Sequence, residues 1–280
     1  MRVQVARFRT AAWLGWQVES NWADPLVFTV YAVARPLALA MVLAGMYWAL
    51  DRSPARHALF AGFYLANAFH VYVTRVVVGM GWIVVEERED YETLKYVYVA
   101  PIGMFTYLAG RGSVKVVLAS LSLVLTLVVG WFLVGVRWDW SHVAWGPLVF
   151  SLGLGMIACL YAGMLVSGAA LLLPRVAMTI NEGLAAGLYL LCGVIFPVDL
   201  LPRGLQELSI AMPFTLWYET LRRALLGHGA SARLGAWSEP HLLGALALST
   251  LVFSLLSWWG YLALETRARR LGRLDQTTMF

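Results

Sequence analysis

Six long apolar runs constrain this chain more than any other feature of its sequence. They cover residues 26–50, 58–85, 112–136, 143–173, 177–198 and 241–264. About 20 apolar residues in a helix cross the hydrocarbon core of a bilayer, so each run is long enough to span it. The runs are continuous and do not alternate with polar residues, which indicates helices rather than a barrel. We therefore predict an all-α integral membrane protein with six transmembrane helices.

The overall composition excludes a soluble globular protein. The chain is 60% hydrophobic and 13% charged, with a mean hydropathy of +0.70. That leaves too few polar side chains to cover a folded domain in water. Cys159 and Cys192 both fall inside apolar runs, so we expect them to be small buried side chains rather than part of a disulfide or a metal site.

Residues 1–25 differ in character from the rest of the chain. They combine arginines with large aromatic residues, namely Arg2, Arg7, Arg9, Phe8, Trp13, Trp16 and Trp22. This mixture favours a helix in the headgroup layer over a disordered tail, with tryptophans at the interface and arginines on phosphates. We therefore divide the chain into an N-terminal interfacial helix, 1–25, and a six-span membrane domain, 26–280.

The segment 199–240 is too polar to span and too apolar for a free loop. It contains two short amphipathic pieces, 203–212 and 214–226, which we expect to be partly re-entrant or to lie on the surface. The segments on the N-terminal side of the membrane carry more Lys and Arg than those on the other side. The positive-inside rule then places both termini in the cytoplasm, together with the stretch that joins the second and third spans.

That stretch, Glu86–Pro101, is the most charged part of the chain. Its charges cannot lie in hydrocarbon, so it lies in water or against a partner. Tyr91, Leu94 and Tyr98 stand at i, i+3 and i+7 and would share one face of a helix, which Pro101 would end. We predict a short amphipathic cytoplasmic helix, with a solvated loop that only reverses the chain as the alternative.

Three charged residues inside or beside the spans are candidates for a substrate pathway: Arg35, Arg75 and Glu182. An arginine near the middle of a bilayer costs about 2.5–3.5 kcal/mol to insert, so Arg35 and Arg75 should face protein or a wet cavity. They could bind an anionic headgroup such as a lipid phosphate. Alternatively they snorkel, or Arg35 pairs with Glu182 or a backbone carbonyl freed near Pro36. For Glu182 a structural hydrogen bond is favoured over proton relay.

The charged stretch also carries a resemblance to a known family. The residues Glu87-Arg88-Glu89-Asp90-Tyr91-Glu92-Thr93-Leu94, closing on Ala100-Pro101, resemble the cytoplasmic coupling segment of type-2 (ABC-2 type) permease subunits of ATP-binding-cassette exporters. That family includes O-antigen, teichoic-acid and drug exporters, and it commonly reads E-R-E-x-G-T-L followed by a proline. Here Tyr91 or Glu92 falls where many relatives have glycine.

A second stretch, Gly193–Arg223, is similar to the late signature of the same family. It holds Phe196-Pro197, Leu201-Pro202, Met212-Pro213 and Glu219-Thr220-Leu221-Arg222-Arg223. The order of the two stretches and the six spans also agree, so the resemblance covers nearly the whole chain.

The resemblance implies a six-helix permease subunit that pairs with a second permease subunit, as a homodimer, and with two cytoplasmic ATPase subunits. The residues that it assigns to ATPase coupling are Glu87, Arg88, Tyr91, Thr93, Leu94 and Pro101. ATP and Mg would bind the partner, because this chain has no G-x-x-x-x-G-K-[ST] loop: Lys95 is followed by Tyr96, and Lys115 by Val116. We expect no catalytic residue, metal, bound cofactor or nucleic-acid partner on this chain.

Two further features of the fifth span and its exit have expected roles. Gly183 and Gly187 form a small-xxx-small pair that lets helices approach closely, which makes this span a candidate dimer face. Phe196, Pro197 and Pro202 follow it and are candidates for an external gate.

The expected function is export of an amphiphilic cargo across the cell membrane, which could be a lipid-linked glycan, a lipid or a hydrophobic drug. The alternative is a membrane-embedded enzyme acting on lipid or glycan. Against that alternative, the sequence has neither H-E-x-x-H nor G-x-S-x-G.

Overall fold

The fold was analysed in a computed structural model of the chain. The structure describes residues 2–21, 54–136 and 138–273, together with isolated positions between 24 and 45. Most of the first predicted span, 26–50, therefore lies outside the described residues, as do Trp22 and Arg35. Within the described part every regular element is helical.

Ten α-helices and two short 3-10 helices, Pro174–Val176 and Val198–Leu200, lie in the described ranges. α1 covers Arg2–Asn21. α2 is one continuous helix with two π-helical stretches, made up of Pro54–Tyr72, Val73–Val78 (π), Gly79–Val85 and Glu86–Asp90 (π). The remaining helices are α3 (Leu94–Val99), α4 (Met104–Val129, extended by a π turn, Gly130–Val134), α5 (Trp145–Leu172), α6 (Ala177–Leu191), α7 (Arg203–Ala211), α8 (Pro213–Leu226), α9 (Ala232–Gly235) and α10 (Glu239–Arg270).

Four of the described helices are long and apolar enough to cross a membrane. These candidate spans are Leu59–Asp90, Met104–Phe132, Trp145–Leu172 and Glu239–Arg270, in α2, α4, α5 and α10. The first is the most deeply buried and the last the least, so α2 lies at the centre of the bundle and α10 at its edge. An all-helical membrane protein is thereby confirmed, whereas the six-span layout stays a prediction.

The fifth predicted span, 177–198, is helical over only part of its length. α6 has 15 residues, about 22 Å at helical rise, which is shorter than the hydrocarbon core of about 30 Å. It ends at a turn in which Gly193 has a φ of +72°, a conformation that favours glycine. The Gly193 carbonyl accepts a hydrogen bond from the buried Arg222, which holds the chain in this turn.

The second amphipathic piece of the predicted surface segment lies inside the bundle. All but two of the 14 residues of α8 are buried. Its Trp217 packs against Gly155 of α5, where even a methyl group would overlap the indole ring. α8 is therefore part of the core, because its polar side chains find partners there, and it is not a surface helix.

The predicted N-terminal helix forms, and it packs along the first half of α4. Ala11 is buried against Gly110, and Gly15 lies beside Arg111 and Val114. Glu19 forms an ion pair with Lys115 of α4. Its predicted place in the headgroup layer stays a prediction. In the core, Cys159 and Cys192 are buried free thiols, as expected from the sequence.

Candidate functional site

The charged stretch Glu86–Pro101 contains the end of α2, a turn and α3. Its first part continues α2 as a π turn, which closes when the Tyr91 and Thr93 N–H groups donate to the carbonyls of Glu86 and Glu87 at 2.9 and 2.8 Å. α3 then begins at Leu94, and Ala100 is extended before Pro101, so the predicted helix end is confirmed.

The predicted face of Tyr91, Leu94 and Tyr98 does not form. Tyr91 precedes α3 and is 49% exposed, whereas Leu94 is buried. The physical reason is the turn itself, since Glu92 has a φ of +52° and breaks the helical register between Tyr91 and Leu94.

The Glu87 carboxylate connects the turn to α4. It is buried and accepts hydrogen bonds from the hydroxyls of Thr93 and Tyr107 and from the guanidinium of Arg111. Arg111 also lies 3.5 Å from the Glu86 carboxylate and donates to the Tyr107 hydroxyl at 3.0 Å. A buried carboxylate is stable only when paired and hydrogen-bonded in this way.

The Arg88 guanidinium connects the same turn to α5. It is buried and donates to the carbonyls of Ala170 and Leu171 at 2.9 and 3.0 Å, in the last turn of that helix. These carbonyls have no partner within the helix and form the negative end of its dipole, so a cation is favoured there.

Tyr98 connects α3 to the end of α10. Its hydroxyl donates to Glu265 at 3.5 Å, and the Arg269 guanidinium lies 4.6 Å from its ring centroid. Arg269 in turn donates to Glu265 at 2.6 Å. Burial, and secondarily the Glu265 charge, raise the pKa of Tyr98, so its hydroxyl stays a donor.

Two aromatic rings, a valine and a lysine are exposed along this segment. We call these four residues the coupling strip; they are Tyr91, Lys95, Tyr96 and Val99. Val99 is 86% exposed and Tyr96 65%. Other side chains of this segment are held by hydrogen bonds to the spans. Exposed aromatic and apolar side chains beside a lysine, on a segment held in this way, suit contact with another protein.

The structure thus sorts the six residues predicted for coupling. Glu87, Arg88 and Leu94 are buried against the subunit itself, Thr93 is half-buried, and Tyr91 and Pro101 are exposed. Sequence reasoning missed the exposed Lys95, Tyr96 and Val99. It also missed the buried partners Tyr107, Arg111 and Glu265. One available signal was the pair of cations Arg111 and Lys115, one helical turn apart near the start of an apolar span.

Comparison with known protein families gives one match. The family model described as ABC-2 type transporter matches residues 8–226 of the 280. The chain belongs to the ABC-2 type transporter family. It is the membrane permease subunit of an ATP-binding-cassette transporter, a family that generally pairs with a separate ATPase subunit. No curated protein matches the chain.

The residues predicted for a substrate pathway in this ABC-2 permease are only partly described. Arg35 lies outside the described residues. Arg75 is half-buried in the first π stretch of α2, and Glu182 is exposed on α6. Headgroup binding and structural pairing therefore both stay open for them.

The predicted dimer face and gate of the permease lie at α6 and beyond it. A side-chain carbon added at Gly183 or Gly187 would meet open space, so this face of α6 is uncovered within the described subunit. Phe196 and Pro197 are half-buried in the turn after α6, and Pro202 is exposed at the start of α7. Both roles stay predictions.

Proposed function

We propose that this permease subunit belongs to an ATP-driven exporter that moves an amphiphilic substrate out of the cytoplasm. The substrate class is a lipid-linked glycan, a lipid or a hydrophobic drug. ATP and Mg bind a separate ATPase subunit, present in two copies. A second copy of this chain completes the permease, with α6 as the dimer face and both termini on the cytoplasmic side of the cell membrane.

The observation that carries this proposal is the anchoring of the coupling strip to several spans at once. Glu87 ties the turn to α4, Arg88 ties it to α5, and Tyr98 ties α3 to α10. α2 runs into the turn without a break. A force on the strip would therefore reach four candidate spans together.

The chemistry of these ties supports rigid-body motion. Removing one partner of a buried ion pair typically costs about 3–5 kcal/mol, so the buried Glu87–Arg111 pair would resist opening during a push. The four spans would then tilt as one packed unit, relative to the second permease copy.

The experiment tests the exposed coupling strip without changing the hydrogen bonds of Glu87, Arg88 and Tyr98. Tyr96→Glu and Val99→Glu, alone and together, place charge on the strip without touching a buried group. With the ATPase subunit co-expressed, we expect normal membrane insertion and thermal stability. Co-purification of the ATPase should weaken at least about tenfold, as for an interface hot spot, and substrate-stimulated ATP hydrolysis should be lost.

The matched control is Leu200→Glu, an equally exposed apolar position 73% open to its surroundings, far along the chain from the strip. It should leave ATPase binding unchanged. Full co-purification and normal stimulated hydrolysis by the double strip variant would contradict the proposal.

A further inference from the structure

Two groups of tryptophans lie at opposite ends of α4. The tryptophan cluster joins the end of α4 to the start of α5 and consists of Trp131, Trp138, Trp140 and Trp145. Ring centroids in it are 5.1 Å apart for Trp131 and Trp138 and 6.1 Å apart for the stacked Trp140 and Trp145. Trp140 and Trp145 are more than half exposed, at 57% and 53%.

A tight turn holds the exposed half of this cluster in place. The Asp139 carboxylate accepts hydrogen bonds from the Ser141 N–H at 3.0 Å, from the Ser141 hydroxyl at 2.7 Å and from the His142 ring at 2.8 Å. The exposed rings therefore project from a structured loop.

The second group lies on α1. Trp13 and Trp16 are exposed, while Ala11 and Gly15 of the same helix pack on α4 between Gly110 and Val114. The level of α1 along α4 is therefore fixed by direct contact.

The surface of α4 between the two groups is an apolar stripe. Its exposed side chains recur at helical spacing along one face: Val117, Leu121, Val124, Val128 and Phe132. A continuous exposed stripe of this kind on a membrane-spanning helix suits contact with hydrocarbon.

The length of α4 between the groups matches a bilayer. At about 1.5 Å per residue, the path from Val114 to Trp131 is about 26 Å and the path from Gly110 to Trp131 about 32 Å. The hydrocarbon core of a bilayer is about 30 Å thick.

α10 carries a further exposed tryptophan. Trp259 is 73% exposed, and its neighbour Trp258 packs on Phe105 near the start of α4, at a centroid distance of 4.6 Å. Trp259 therefore lies toward the end of the bundle that carries α1.

We propose that Trp140 and Trp145 anchor the α4–α5 loop in the headgroup layer opposite the one in which the sequence places Trp13 and Trp16 of α1. Tryptophan favours this layer because its ring is apolar and its N–H is polar. The inference depends on the membrane location of the ABC-2 family and not on ATP-driven export.

Depth measurements by spin labelling test this placement. Cysteine replaces Trp13, Trp16, Trp140 or Trp145 in turn, and the full-length protein is labelled and reconstituted in phosphatidylcholine vesicles. The native thiols, Cys159 and Cys192, are buried and accept little label. Collision rates with oxygen and with a water-soluble nickel chelate then give each label's depth. We expect all four about 15 Å from the bilayer midplane, half the core thickness.

Two positions calibrate the scale. A label at Val124, in the middle of the stripe, should be deep in hydrocarbon, and a label at Lys95 should be fully aqueous. Labels at Leu14 and His142 give the same reading if a tryptophan variant fails to fold. Labels at 140 and 145 as aqueous as Lys95 would overturn the proposal and indicate a platform for sugar or protein. Labels at 13 and 16 as aqueous as Lys95, or any as deep as Val124, would overturn it as well.

Discussion

Two buried arginine clusters at opposite ends of the subunit use the same chemistry with different surroundings. In the coupling cluster, Arg88 and Arg111 bind helix-end carbonyls and the Glu87 carboxylate. In the second, here called the α8 cluster, Arg222 donates to the carbonyls of Gly62, at 2.9 Å, and Gly193, and lies 3.6 Å from Glu219.

The difference lies in what covers each cluster. The coupling cluster lies directly behind the exposed strip, whereas α8 is buried along nearly its whole length. One arrangement can pass a force from outside into the spans, and the other can only hold helices together. Burial lowers the pKa of Arg222 to about 10, so its guanidinium is still charged at neutral pH.

Arg222→Ala should have the largest effect on stability. It leaves the buried Glu219 without its nearest cation and removes the side-chain donor to the Gly62 and Gly193 carbonyls, so we expect a loss of about 3–5 kcal/mol in the free energy of unfolding. Thermal denaturation of the detergent-purified subunit measures the change. Arg203→Ala, at an exposed position in α7, is the matched control and should change stability by less than about 0.5 kcal/mol. A fully stable Arg222→Ala protein would remove the structural role given to the α8 cluster.

Gly155→Ala should cause the next largest loss of stability. It tests how tightly α8 is packed against α5. The new methyl group would overlap the Trp217 ring, and overpacking of this kind costs about 1–3 kcal/mol. Gly153→Ala lies half a turn away, with nothing within 4 Å of the added carbon, and should be neutral or slightly stabilising. Thermal denaturation of the Gly155→Ala and Gly153→Ala variants measures the difference. Equal effects of the two substitutions would mean that α8 is loosely packed.

The contrast between the two clusters also shows what the sequence could predict. Continuous apolarity indicated a helical membrane protein, because hydrocarbon admits few alternatives. The charge of Glu86–Pro101 located the coupling segment. The direction of Glu87 and Arg88 could not be predicted, since the two π stretches of α2 shift the helical register.

α8 shows the opposite limit of sequence reasoning. Its amphipathic pattern predicted a partly re-entrant helix or one on the surface, but its Arg222 meets backbone carbonyls inside the bundle. The partners of Arg222, Gly62 and Gly193, lie far from it in the sequence. Every residue has a backbone carbonyl, so the residue type does not show which carbonyl will accept a hydrogen bond. Such backbone partners become visible only once the helices are assembled.

Glu92→Gly should stabilise the coupling end by about 1 kcal/mol. A residue with a side chain is strained at a φ of +52°, and glycine is not. Asp90→Gly is the control with the opposite sign, because Asp90 is exposed and helical and replacing aspartate by glycine there should cost about 0.3 kcal/mol. Two denaturation curves that shift in the same direction would show that the turn at Glu92 is not as described.

The smallest effect should come from the turn beside the tryptophan cluster, at the end of the bundle away from the strip. Hydrogen bonds from Ser141, and secondarily from His142, lower the pKa of Asp139 from 3.8 to about 2. Because the folded pKa is depressed, the contribution of Asp139 is complete above about pH 4 and is lost as the pH falls toward 2. A spin label at Trp145 should become more mobile over that range without global unfolding. In the Asp139→Ala variant the same label should be mobile at every pH, without a transition, because the carboxylate that orders the loop is gone. A wild-type label whose mobility is independent of pH down to 2 would mean that other contacts hold the loop, and the two ends would then differ less than proposed.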